Sequence, residues 1–368
     1  MKRLAVAVTM LVLSGCTQPG RIAQPTPSVS PQPSATQAIP APAIDDISFI
    51  DTARGWLVRH DCTGDCSSDV LATTDGGRYW RRNGTIAFNA TAQHNVMFTD
   101  EANGYAWDPE LAVTPDGGRT WAANVPFDGK RRADRVVSVE AVGPSIWALG
   151  VTTCPQPGTK TCAARIFTSK NNGPWTSMVP PGGIVGPQAQ LLRASSARAW
   201  VLSWGDVKTP RDKALLLTND GGHSWKALEN PCAGTAYSAA ERVAAPGKQL
   251  LWLFCAKKEG AGPQKKLLFT SSDAGLHWHL PLIVPALGVL GYDAVIDDQL
   301  AFLSLPGGGV WRTTDGSHAW RTVLRKDDDS QWGSIEFVDV RHGWVVHGNT
   351  LYATSDGGRR WRGTLVPR

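Results

Sequence analysis

One eight-residue turn recurs along this chain and limits its fold more than any other feature. Six copies keep a Ser or Thr, an Asp two positions on and a Trp five positions after the Asp. They contain Asp75 and Trp80, Asp116 and Trp121, Asp220 and Trp225, Asp273 and Trp278, Asp315 and Trp320, and Asp356 and Trp361. A seventh, degenerate copy runs from Thr168 to Trp175, with Lys170 in the place of Asp and Asn172 in the place of the second Gly. From one third position to the next the steps are 41, 54, 50, 53, 42 and 41 residues. A repeat of this size, rich in strand formers and turn residues, marks a propeller or a solenoid.

The turn has a physical basis. An Asp side chain accepts hydrogen bonds from the backbone N–H groups that follow it, and Gly supplies the positive φ that closes a tight hairpin. The Ser or Thr hydroxyl bonds locally in the same way. The Trp then folds back beneath the hairpin. Burying an indole removes about 150–250 Å² from water, roughly 4–6 kcal/mol as an upper bound, against about 1 kcal/mol for each hydrogen bond. The Trp residues are therefore structural pins first. The degenerate copy is expected to be the least well pinned.

A second motif precedes the turn. Phe49 to Trp56 matches Phe337 to Trp344, each reading as strand, turn and strand with Gly before the final Trp, and Phe98 to Tyr105 is close to both. Trp147, Trp200, Trp252 and Phe302 hold the second-strand place in other repeats. One repeat is thus four strands, in the first copy near 48–51, 55–59, 70–74 and 78–82. Residues 44–368 shared among seven repeats give about 46 residues each, the size of a four-stranded blade. The expected fold is all-β: a seven-bladed β-propeller of four-stranded antiparallel blades, closed because a ring leaves only short edges. Composition agrees. With 42% hydrophobic residues the chain is not wholly disordered, and 38 Gly with 16 Trp suit many tight turns with large anchors. A net charge of +5 is too mild for a nucleic-acid binder.

Residues 1–15 read as an address. Lys2 and Arg3 precede an apolar run from Leu4 to Leu13, too short to span a bilayer, and Leu13-Ser14-Gly15-Cys16 has the pattern of a bacterial lipobox. In that reading Cys16 becomes the acylated N-terminus, and two or three acyl chains hold a protein to a membrane durably. Residues 16–43 follow as a Pro-rich tether that cannot build a core and reaches on the order of 80 Å when extended. The expected location is the cell envelope, lipid-anchored and extracytoplasmic, with inner or outer membrane left open. Thr17 permits outer-membrane sorting in a Gram-negative host.

The turns resemble the Asp-box, or BNR, repeat of sialidases and sortilin-type receptors. The arrangement of Gly-Trp followed by Thr-x-Asp-Gly-Gly-x-x-Trp is similar to the photosystem II assembly factor family called Ycf48/Hcf136-like, and it covers everything after the tether. The resemblance implies a propeller that assists membrane-complex assembly. It also implies an arginine patch, for which the sequence offers no residue-by-residue correspondence.

In such a blade the box joins strands three and four on one face, while the other face carries loops of variable length. Long inserts near 59–69, 151–164, 204–213 and 256–266 mark that loop face as the binding face. Six cysteines remain after Cys16, an even number for an oxidising compartment. Pairs Cys62–Cys66, Cys154–Cys162 and Cys232–Cys255 need no crossing, although fifteen pairings are formally open. Zinc at His60, Cys62 and Cys66 lacks a fourth ligand, and calcium at Asp61, Asp65 and Asp69 lacks the EF-hand spacing. No metal and no cofactor is expected. Lys208, Arg211, Lys213, Lys257, Lys258, Lys265 and Lys266 crowd two neighbouring inserts. They form either a basic patch for an acidic protein surface or anionic polymer, or a solvated rim.

No Ser-His-Asp elbow, phosphate loop or metal cluster is present. A sialidase-like site needs three Arg, a Tyr nucleophile and a Glu. Tyr79 and Tyr352 stand beside boxes on the wrong face, and Arg165-Ile166-Phe167 is not the sialidase segment. Loop-face acids such as Asp65, Asp108, Asp206 and Glu259 keep open a two-carboxylate glycosidase. The expectation is a monomeric, non-catalytic scaffold that binds an envelope protein or complex. The alternative is a glycoside hydrolase or glycan-binding lectin using the loop face.

Overall fold

The structure is a computed structural model. It describes residues 43–61, 67–87, 94–153, 163–180, 184–185, 189–204, 214–233, 235–237, 240–257, 264–285, 288–326 and 331–367. Among them the strands form seven antiparallel sheets, each built from four strands consecutive in the chain. No helix is present among these residues, and none is long and apolar enough to cross a membrane. Blades 1 to 7 span 44–86, 95–123, 135–178, 189–228, 240–284, 292–324 and 332–365. A short extra strand, Ile184–Val185, also pairs with the third strand of blade 3. This is the seven-bladed propeller expected.

The strand limits differ from those read in the sequence. Blade 1 consists of Ile44–Phe49, Gly55–Asp61, Ser67–Thr73 and Arg81–Ile86. Asp51 lies in the first turn, where its carboxylate accepts the N–H groups of Ala53 and Arg54 at 2.8 and 2.7 Å. Arg78 belongs to the box turn, so the fourth strand begins only after Trp80.

Each apolar cluster of the core is shared by two neighbouring blades. One joins Phe49, Leu57 and Trp80 of blade 1 to Trp344, Val346 and Leu351 of blade 7, and the same holds at all six other junctions. The pattern of second-strand aromatic, first-strand Phe and box Trp repeats as a three-ring stack. Phe49 lies flat against Trp344 with centroids 3.6 Å apart and meets Trp80 edge-on at 6.1 Å. Phe98 does the same with Trp56 and Trp121, and Phe337 with Phe302 and Trp361. The Gly of the second motif makes room for this stack, since a Cβ on Gly55 would stand 2.4 Å from the Phe49 ring. The pins thus lock sheet to sheet.

The box turns bond as their chemistry requires. In blade 1 the Thr73 hydroxyl donates to Asp75 at 2.8 Å, and the same Asp oxygen accepts the N–H groups of Arg78 and Tyr79 at 3.0 Å. Gly76 and Gly77 hold φ of 75° and 86°. The degenerate copy departs in length as well as sequence. Ile146 pairs with Ser169 where Gly55 pairs with Thr73, so Ser169 takes the buried hydroxyl position and the turn from it to Trp175 is one residue shorter. Its hydroxyl donates to Gly173 O at 2.7 Å, and Asn171 and Asn172 supply the positive φ. Trp175 is nonetheless 8% exposed, its indole N–H held by Asn124 at 3.0 Å. Missing carboxylate bonds did not loosen this pin. Trp121, Trp225, Trp278 and Trp361, in intact boxes, are only half-buried, which makes the upper-bound burial energy too high for them.

Candidate functional site

The first strand of each blade runs along the central axis from the loop face to the box face. Its inner edge has N–H groups with no strand beside them, and polar side chains of the preceding blade satisfy several. Glu336 accepts Phe49 N–H at 2.8 Å, Asp46 accepts Val96 at 3.0 Å, and Ser48 accepts Phe98 at 2.9 Å. Ser138 and Gln190 do the same for Leu191 and Val243. Burial pushes Asp46 up to about 6 and Glu336 to about 8. Glu140 reaches about 8 by burial although the charge of Arg193 opposes it. Those carboxyls look like reactive groups by titration alone, yet the bonds of Asp46 and Glu336 are structural.

On the loop side the axis opens into a cavity of about 560 Å³. It is formed where first strands begin and second strands end, and its walls include Asp45, His94, Trp107, Ser138, Trp204, Arg242 and Tyr292. Arg242 also borders the opening on the box side, so it stands at the waist of the axis. Its Nε donates to Asp293 at 3.1 Å, and its guanidinium lies 5.5 Å from the Tyr292 ring centroid.

A second cavity, of about 400 Å³, lies on the box side between blades 1 and 2. Trp56 and Ala72 line it together with Arg54, Arg81, Arg119 and Tyr79, the last 77% exposed. Arg54 is tied to Asp51 at 2.5 Å and reaches across to Glu101 of blade 2. Arg119 donates to its own turn, while the Arg81 guanidinium meets no partner among the described residues. The arginines continue round the ring. Arg359, Arg360 and Arg362 of blade 7 are exposed on the same side, and blade 7 abuts blade 1.

The sequence marked the other face as the binding face, with seven basic residues there as either a patch or a solvated rim. Lys208, Arg211, Lys213 and Lys258 lie outside the described residues. Lys265 is exposed and Lys257 half-buried, but Lys266 does not belong to any patch. It is 1% exposed, donates to Gln264 O and Gly288 O at 2.9 and 2.7 Å, and burial lowers it to about 8. Strand alternation was the available signal, because Lys266 shares its face with the buried Leu268. Cys232 and Cys255 are bonded, with Cα atoms 5.8 Å apart and both side chains fully buried. Cys16, Cys62, Cys66, Cys154 and Cys162 lie outside the described residues, as do Asp65, Asp206 and Glu259. Asp108, the loop-face acid that is described, is held by Arg135 through bonds of 2.7 and 2.8 Å. Among the described residues no group of three or more His, Cys, Asp or Glu is arranged to hold a metal ion.

Among the described residues, fold and openings define a seven-bladed β-propeller with a cavity at the loop end of its axis and a basic groove between blades 1 and 2. Among solved structures, YCF48 bound to a D1 peptide is similar at 19% identity, over 86% of this chain and 93% of that one, with a TM-score of 0.59. YCF48 from Cyanidioschyzon merolae is 18% identical over 86% and 95%, with a TM-score of 0.54. An oligogalacturonate lyase from Vibrio parahaemolyticus is 8% identical over 85% and 91%, with a TM-score of 0.56. These likenesses establish the fold. No protein-family model and no curated protein matches the sequence.

Proposed function

We propose that this chain is a non-catalytic propeller, lipid-anchored through Cys16 outside the cytoplasm, that binds an acidic protein segment and assists assembly of a membrane complex. The observation that carries the reading is the groove between blades 1 and 2. Three arginines and an exposed tyrosine surround an indole floor there. Arginine pairs carboxylates through its planar fork, and Tyr and Arg are the side chains that most often dominate protein interfaces. The fold's similarity to YCF48, one structure of which holds a peptide, supports the same reading. So do the Gly-Trp and Asp-box motifs.

The test places a photo-crosslinking amino acid at Tyr79 in cells and identifies the captured protein. The expected product is a membrane-complex subunit linked through an acidic stretch, lost in Arg81→Glu and Arg119→Glu variants whose melting temperature is unchanged. A crosslink indifferent to both charge reversals removes the groove from the function.

A further inference from the structure

The axial cavity on the loop side holds more hydrogen-bond donors than the protein itself uses. Its acids are engaged within the protein, one oxygen of Asp45 by His60 at 2.5 Å and both oxygens of Asp108 by Arg135. Ser138 and the Gln190 oxygen are spent on the backbone of the next blade. Left over along the wall are the two terminal nitrogens of Arg242, the Tyr292 hydroxyl, the Asn95 amide and the indole N–H groups of Trp107 and Trp204. None of these makes a hydrogen bond among the described residues. Arg242 is fixed in place by Asp293 and Tyr292, so little freedom remains to be lost when its outer edge is engaged.

We infer that this cavity takes a carboxylate-bearing sugar, a hexuronic-acid unit of an oligosaccharide. The outer nitrogens of Arg242 suit a carboxylate, and a guanidinium engages such a group in two parallel bonds. Ring and hydroxyl oxygens accept from the indole and amide donors, while the C–H face of a pyranose covers the apolar surface of Trp107 and Trp204. The volume falls in the range of small-ligand sites. A peptide fits less well, because along this wall the spare donors of Arg242, Trp107, Trp204 and Asn95 outnumber the spare acceptors, and a peptide's own backbone N–H groups would compete for those few acceptors.

The experiment offers the full chain, in detergent, to an array of oligogalacturonates and oligoglucuronates. Neutral oligosaccharides of the same length and peptides with free C-terminal carboxylates stand beside them, and hits are measured by calorimetry. Uronate-containing sugars are expected to bind. Arg242→Gln should weaken them by about ten- to a hundredfold, as loss of a charged hydrogen bond does, and Arg242→Lys by less. Trp204→Ala should weaken neutral and acidic sugars alike. If Arg242→Gln lowers the melting temperature sharply, Asn95→Ala and Trp107→Ala carry the test instead. The inference is overturned by silence across the uronates at millimolar concentration, by uronate binding that survives every variant, or by peptides displacing the sugars. Crosslinking at Tyr79, on the opposite face, reports separately on the assembly role.

Discussion

The indole N–H of Trp344, in the last blade, donates to the carbonyl of Gly76, in the first box turn, at 2.9 Å. Trp56 makes the same bond to Gly117 and Trp200 to Ala274, so the seam where the last blade meets the first is built like an ordinary junction. Trp344→Phe should keep the stacked ring and lose only the bond, costing about 1 kcal/mol, whereas Trp344→Ala should cost about 3–5 kcal/mol. Urea titration of the two variants separates these values.

Gly55 should not tolerate a methyl group. Its Cβ would lie 2.4 Å from the Phe49 ring, which is trapped between Trp344 and Trp80. Gly55→Ala is expected to destabilise by about 1–3 kcal/mol. In a double-mutant cycle with Phe49→Leu the two losses should fall well short of adding.

Stability should depend on pH from both ends. Glu336 and Glu140 titrate near 8 in the ring and in the ordinary glutamate range when unfolded. Between about pH 5 and 8 the folded state holds more protons than the unfolded one, so stability falls as pH rises through that window. Asp220 and Asp356 have the opposite sign. The hydroxyl and N–H of Ser224, and the N–H and side chain of Arg360, hold them near 2, and their contribution is lost as pH falls from about 4. Melting temperature against pH should peak between the two windows, and Glu336→Gln with Glu140→Gln should flatten the upper slope.

The Cys232–Cys255 bond closes a separation of 23 residues within the blade 4 to blade 5 junction. Replacing both with Ser should cost about 2–4 kcal/mol. Guanidinium titration with and without reductant checks this, and reductant should do nothing further to that bond in the variant.

The proposed attachment through Cys16 predicts that the mature chain partitions into detergent and that Cys16→Ser releases it to the aqueous phase. Mass spectrometry of the N-terminus reports the acyl chains directly.

What could be read from the residues was local. Asp, Gly and Trp at fixed offsets specify their own hairpin, so intact boxes and the blade number followed from spacing. The shortened third turn was harder, because whether Thr168 or Ser169 fills the hydroxyl position depends on which of them pairs with Ile146 across the sheet. The tie between Phe49 and Gly55 needed Trp344, nearly three hundred residues away. The arginine groove combines side chains of two blades, and Glu336 meets Phe49 and Asp46 meets Ser334 only once the ring has closed. Such relationships exist between repeats, where no window of sequence can display them.

Because every apolar cluster is held in common by two sheets, no blade owns an interior. A blade excised by truncation would strip its two neighbours as well, and fragments of the chain should fail together instead of melting one sheet at a time. Equally, since the closing seam uses whole sheets and no exchanged strand, the chain's beginning has no privileged place. New ends cut into another inter-blade connection, with the old ones joined, should return the same wheel.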